Sequence, residues 1–210
     1  MKHLIISLCV IGICGLTGCV KESGSFFTKH YIDEYIIVDT VVLQPTYSNP
    51  NWINLDFETG NPLCSIEEYR ILTQRYGDTH YNRKKVPGTF ALSEPITILS
   101  VTSDRDFGNS HPAGTPLNEF VKISCRSYYP FISSGYKRIE DENGILSDLK
   151  LIRTYIDDPE AQDIALVAAP SSYLDLSELP ETDEEHLLTV TLRSGEKIVV
   201  SHVKYRLSKE

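Results

Sequence analysis

Leu187-Leu188-Thr189-Val190-Thr191-Leu192 and Ile198-Val199-Val200-Ser201-His202-Val203-Lys204-Tyr205 flank the loop Arg193-Ser194-Gly195-Glu196-Lys197. Two runs rich in β-branched residues, joined by a short glycine-containing loop, specify a β-hairpin. The same signal recurs upstream. Residues 35–43 are β-branched almost throughout and stop at Pro45, and residues 52–57 lie between the turn clusters Asn49-Pro50-Asn51 and Thr59-Gly60-Asn61-Pro62. Residues 95–102 read as a strand with Ile96, Ile98 and Ser100 on one face, and 121–129 and 164–168 are further strand candidates. Residues 65–76 point two ways. Ser65 with Glu68 resembles a helix-starting capping box, while Tyr69, Ile71 and Thr73 alternate as in a strand; the neighbouring strands tip the expectation to strand. Residues 116–120 suggest a short helix. In 147–156, Ser147 as N-cap and Leu149, Ile152 and Ile156 at helical spacing predict another. Together these elements predict an all-β fold, an immunoglobulin-like β-sandwich with one or two short helices.

Composition sets the outer bounds. The chain has 210 residues, 41% of them apolar, which is enough for a packed core and suits a single domain. Lys and Arg number 20 against 29 Asp and Glu, a net charge of −9. That balance argues against nucleic acid as a partner, because phosphate binding needs a positive footprint.

The amino terminus carries the most specific signal. Met1-Lys2-His3 precedes an apolar run from Leu4 to Leu16, and a positive start before a short apolar run marks a secretory signal peptide. Thirteen helical residues reach about 20 Å, too short for a hydrocarbon core of about 30 Å. Leu16-Thr17-Gly18-Cys19 then resembles the lipobox of bacterial lipoproteins, in which a peptidase cuts before the cysteine and the cysteine receives a diacylglycerol and a palmitate-type acyl chain. The resemblance implies lipid attachment at Cys19, with residues 1–18 as signal peptide, 19–30 as a flexible tether and 31–210 as one sandwich domain. Processing there removes Lys2 and no acid, so the mature chain is more acidic still. Val20 rather than an aspartate follows Cys19, which by analogy favours the outer membrane.

Candidate sites are few. Of five cysteines, Cys9 and Cys14 leave with the signal peptide and Cys19 carries lipid; Cys64 and Cys125 remain as a possible disulfide in an oxidising compartment, or as two buried thiols. Asp104, Asp106 and Asn109 are spaced like oxygen ligands of a calcium loop. However, Thr115 stands where the bidentate glutamate belongs, so a hydrogen-bonded turn is the competing reading. Five histidines follow the signal peptide (His30, His80, His111, His186, His202), and no two are three to five residues apart, so no helical metal pair exists. No Gly-x-Ser-x-Gly nucleophile turn and no cofactor-binding pattern occurs. Among 12 Tyr, 7 Phe and one Trp, Trp52 and Tyr128-Tyr129 are the candidate stacking platforms for a sugar or peptide ligand. Glu140-Asp141-Glu142 and Asp183-Glu184-Glu185 read as solvated loops.

Val101-Thr102-Ser103-Asp104-Arg105-Asp106-Phe107, His111-Pro112-Ala113-Gly114-Thr115 with Leu117-Asn118, and the stretch from Leu179-Pro180 to Tyr205 resemble a family of uncharacterised Bacteroidetes outer-membrane lipoproteins. The resemblance implies a β-sandwich on an outer-membrane anchor and carries no catalytic residues across. The functional expectation is therefore a non-enzymatic, lipid-anchored envelope module for binding, adhesion or assembly, with the membrane as one partner and a protein or glycan as another. The alternatives are a carbohydrate-binding component of a glycan-uptake system and a hydrolase whose carboxylates are remote in sequence.

Overall fold

The structure, a computed structural model, describes residues 27–206 apart from 47, 60–64, 85, 109, 142, 170, 171 and 182. In chain order the elements are β1 (Phe27–Thr28), β2 (Glu34–Ile36), β3 (Thr40–Pro45), β4 (Trp52–Glu58), α1 (Ile66–Arg75), β5 (Arg83–Lys84), β6 (Phe90–Leu92), β7 (Ile96–Ser103), β8 (Val121–Ser127), α2 (Tyr129–Ser133), β9 (Ile139–Glu140), β10 (Leu146–Ser147), β11 (Lys150–Tyr155), β12 (Ser172–Leu176), β13 (His186–Ser194) and β14 (Lys197–Tyr205). Single 3-10 turns sit at Asn118–Phe120 and Pro159–Ala161.

Two antiparallel sheets make the all-β sandwich. One has the order β11-β8-β12-β4-β3 and the other β14-β13-β7. Strict alternation aims one face of each inward: Ile53 and Leu55, Ile123 and Cys125, and Leu174 and Leu176 meet Leu188, Val190 and Leu192 in one apolar cluster. The terminal hairpin forms as its sequence requires, with nine pairs from His186↔Tyr205 to Ser194↔Lys197. Gly195 supplies the positive φ of +58° for its two-residue turn.

The structure departs from the sequence expectation in five places. Residues 65–76 form helix α1, not a strand. The Glu68 N–H donates to Ser65 Oγ at 3.2 Å and the Ser65 N–H donates to Glu68 Oε2 at 2.6 Å, completing the capping box. The apparent alternation carries no sheet face, since Ile66 is 92% exposed and only Leu72 and Thr73 are buried. Residues 150–155 are strand β11 along β8, where Ile152 opposite Cys125 and Thr154 opposite Ile123 turn toward the core. Ser147 Oγ there accepts the Leu149 N–H in a turn instead of capping a helix. The run 35–43 divides: β2 pairs in parallel with β6, and β3 joins the five-stranded sheet. In β7 a bulge leaves Leu99 unpaired, since Ser100 opposes Thr191 while Ile98 opposes Leu192. Val101 and Ser103, rather than Ser100, continue the inner face. Residues 164–168 contribute isolated bridges only.

A second cluster closes one end of the sandwich with Tyr31, Tyr35, Tyr76, Tyr81, Tyr128, Phe131 and Tyr136. Asp78 lies at its centre, fully buried. Its carboxylate accepts the N–H of Tyr31 (2.7 Å), the N–H of Ile32 (2.9 Å) and the O–H of Tyr136 (3.0 Å). The chain entering the domain is thus clamped to the loop after α1.

At the start of β13, His186 is also fully buried. Its Nδ1 lies 2.9 Å from Ser103 Oγ, and its Nε2 has no hydrogen-bond partner. Burial holds this imidazole below its ordinary range; Arg105 adds to the effect, and Asp104 and Glu184 oppose it. Below about pH 6.5 the unfolded chain takes up this proton more readily than the folded one. The stability His186 supports above that pH is therefore lost as pH falls toward the folded-state value. Urea unfolding at pH 7.5 and 5.5 is expected to show this decline in the wild type and a flatter profile in His186→Gln; equal slopes in the two proteins would refute it.

Candidate functional site

Alternation puts polar and aromatic side chains on the outer face of the five-stranded sheet, and the strand registers align them in rows. One row holds Tyr155, Lys122, Asp175 and Trp52; the next holds Arg153, Ser124, Tyr173 and Asn54; beyond them Leu151 opposes Arg126 and Val42 opposes Asp56. No single strand reveals this face, because four non-consecutive strands build it.

Most charges on it are engaged. Arg153 Nη2 lies 2.7 Å from Asp175 Oδ2, and Lys122 Nζ sits 4.6 Å from the centre of the Tyr155 ring. Trp52 and Tyr173, each half-buried, stack with ring centres 4.6 Å apart and planes at 29°. Beside them a groove of about 490 Å³ opens between β8 and β4, lined by Asn54, Asp56, Ser124, Arg126, Leu151, Ser172 and Tyr173. Arg126 and Leu151 also line an adjoining groove of about 570 Å³ that runs toward the β9–β10 hairpin, so the two form one trough.

Two features of the trough are unusual for a surface that serves only to be solvated. Ser124 is fully buried, yet its hydroxyl has no hydrogen-bond partner, and the Ser172 hydroxyl shares that condition. Arg126, exposed at the junction of the grooves, has no ion pair or side-chain hydrogen bond among the described residues. Asp56 is the carboxylate lining the first groove, and Glu140 and Asp141 line the adjoining one.

Of the residues singled out in the sequence, Trp52 stands on this face. Tyr128 does not: it is 8% exposed and packs edge-on against Tyr31 in the tyrosine cluster. Tyr129 is exposed but meets Tyr76 edge-on, away from Trp52. Asp104 ties the end of β7 to β13, its Oδ1 accepting the Leu187 N–H (2.7 Å), and Asp106 braces the following loop, its Oδ1 accepting the Ala113 N–H (2.8 Å). Asn109 lies outside the described residues, among which no group of three or more His, Cys, Asp or Glu side chains gathers. Cys125 is a free, buried thiol pushed up to about 12 by burial; Cys64 and Cys19 lie outside the described residues. No described helix is long and apolar enough to cross a membrane.

Alternation in residues 121–127 already sets Lys122, Ser124 and Arg126 apart from the core. Tyr173 and Arg153 carried no comparable signal, since they join the face only through the strand order. No protein-family model, no curated protein and no solved structure matches the chain.

Proposed function

We propose that the protein is a non-enzymatic binding module of the cell envelope, anchored by lipid at Cys19, that takes a carbohydrate chain on the outer face of the five-stranded sheet. The stacked Trp52–Tyr173 pair carries this reading. Sugar rings present apolar C–H faces that pack on aromatic rings, and their hydroxyls need a dense supply of donors and acceptors beside them. Asn54, Asp56 and Arg126 supply those beside the pair. The lipobox at Leu16-Thr17-Gly18-Cys19 supports the anchor, with the outer membrane as its proposed destination.

Trp52→Ala is expected to weaken glycan binding about tenfold, the loss of roughly 1.4 kcal/mol of stacking and burial. Its melting temperature should stay close to the wild type because the indole is half-exposed. A glycan array followed by calorimetry on any hit measures this. Silence of the wild type across the array, or undiminished binding by Trp52→Ala, would count against the reading.

A further inference from the structure

We infer that the sugar chain held on this face is acidic, and that Arg126 receives a uronate carboxylate. The inference rests on the outer-face reading and adds the ligand's charge to it. Three cations project from the face. Arg153 is spent on Asp175 at 2.7 Å, and Lys122 is spent on the Tyr155 ring at 4.6 Å. Arg126 alone of the three has no acidic or aromatic partner among the described residues, and it stands where the two grooves meet. A guanidinium presents its donors as a planar fork matched to a carboxylate, which a neutral hydroxyl cannot fill.

The surroundings favour one orientation. Arg126 on β8 and Asp56 on β4 line the same groove, and β12 runs between their strands in the sheet. A uronate carboxylate paired with the Arg126 guanidinium leaves Asp56 in the first groove, and Glu140 and Asp141 in the second, to accept from sugar hydroxyls, since carboxylate oxygens only accept. The Ser124 hydroxyl, two residues from Arg126 along β8, lies buried and unpartnered beneath the groove. The net charge of −9 opposes an anion at long range. Salt screens exposed charges beyond about 8 Å under physiological conditions, so the local guanidinium decides the contact.

The test uses the purified full-length chain in detergent. Its ligands are a panel of galacturonate, glucuronate and mannuronate oligosaccharides, each in free and carboxyl-reduced form, titrated by calorimetry. The wild type is expected to bind at least one free form about tenfold or more tightly than its reduced counterpart. Arg126→Gln should weaken the free form more than the reduced form and so abolish that difference, and Trp52→Ala should weaken both forms. If wild type binds free and reduced forms equally and Trp52→Ala weakens both, the acidic preference is overturned while the outer-face reading stands. A preference that survives Arg126→Gln overturns the assignment to Arg126. Binding to no member of the panel overturns the acidic preference, and a neutral-glycan array then decides the outer-face reading separately.

Discussion

Replacing Asp78 with alanine is expected to destabilise the protein by about 3–5 kcal/mol. The substitution removes the acceptor of three buried donors at once: the Tyr31 and Ile32 N–H groups and the Tyr136 O–H. None of the three can turn to water without opening the tyrosine cluster, because Tyr31, Ile32 and Tyr136 are themselves buried. Small domains are stable by only about 5–15 kcal/mol in total, so the variant should sit near the edge of folding at physiological temperature. Asp78→Asn keeps the shape and one acceptor oxygen but turns an amide donor toward other donors, which places it between the wild type and the alanine variant. Guanidinium unfolding followed by tyrosine fluorescence measures both. A loss below about 1 kcal/mol for Asp78→Ala would show that the clamp is not a main support of this end of the fold.

The second large effect follows from the proposed anchor. Each buried methylene contributes roughly 0.8 kcal/mol to membrane binding, so two or three acyl chains hold a protein of this size almost permanently. Cys19→Ser, secreted behind a signal peptide that does not direct lipidation, is expected to move from the detergent phase to the aqueous phase nearly completely. Phase partitioning with a palmitate label reports it. An unlabelled wild type, or a Cys19→Ser variant that still partitions with detergent, would remove the anchor from the proposal.

How much of this was legible in the sequence depended on the range over which each signal acts. The 186–205 hairpin was readable because its β-branched runs and Gly195 turn are contiguous, and its pairing depends on nothing distant. The strand at residues 150–155 is not legible locally, because Leu149, Ile152 and Ile156 fall at helical spacing by coincidence; only β8, about 25 residues earlier, makes them a strand. The Ser65–Glu68 capping box was visible and correct, and the alternation of exposed residues drew the reading away from it. The bulge at Leu99 could not be seen from β7 alone, since its effect is defined against β13. The proposed binding face was legible at Trp52 and, through alternation in 121–127, at Lys122, Ser124 and Arg126. Its other members lie on strands whose order, β11-β8-β12-β4, follows no sequence neighbourhood.

The Asp78 clamp also has a mechanical meaning. Residues 27–36 come before every strand of the sandwich, and they are held by the β1–β5 pair, the bonds to Asp78 and the parallel β2–β6 pair. A protein tethered by its amino terminus and pulled through a captured polymer would feel that force first along this segment. Rupture there would release slack while both sheets stay intact, which would place strain relief between the proposed tether and the proposed ligand-binding surface.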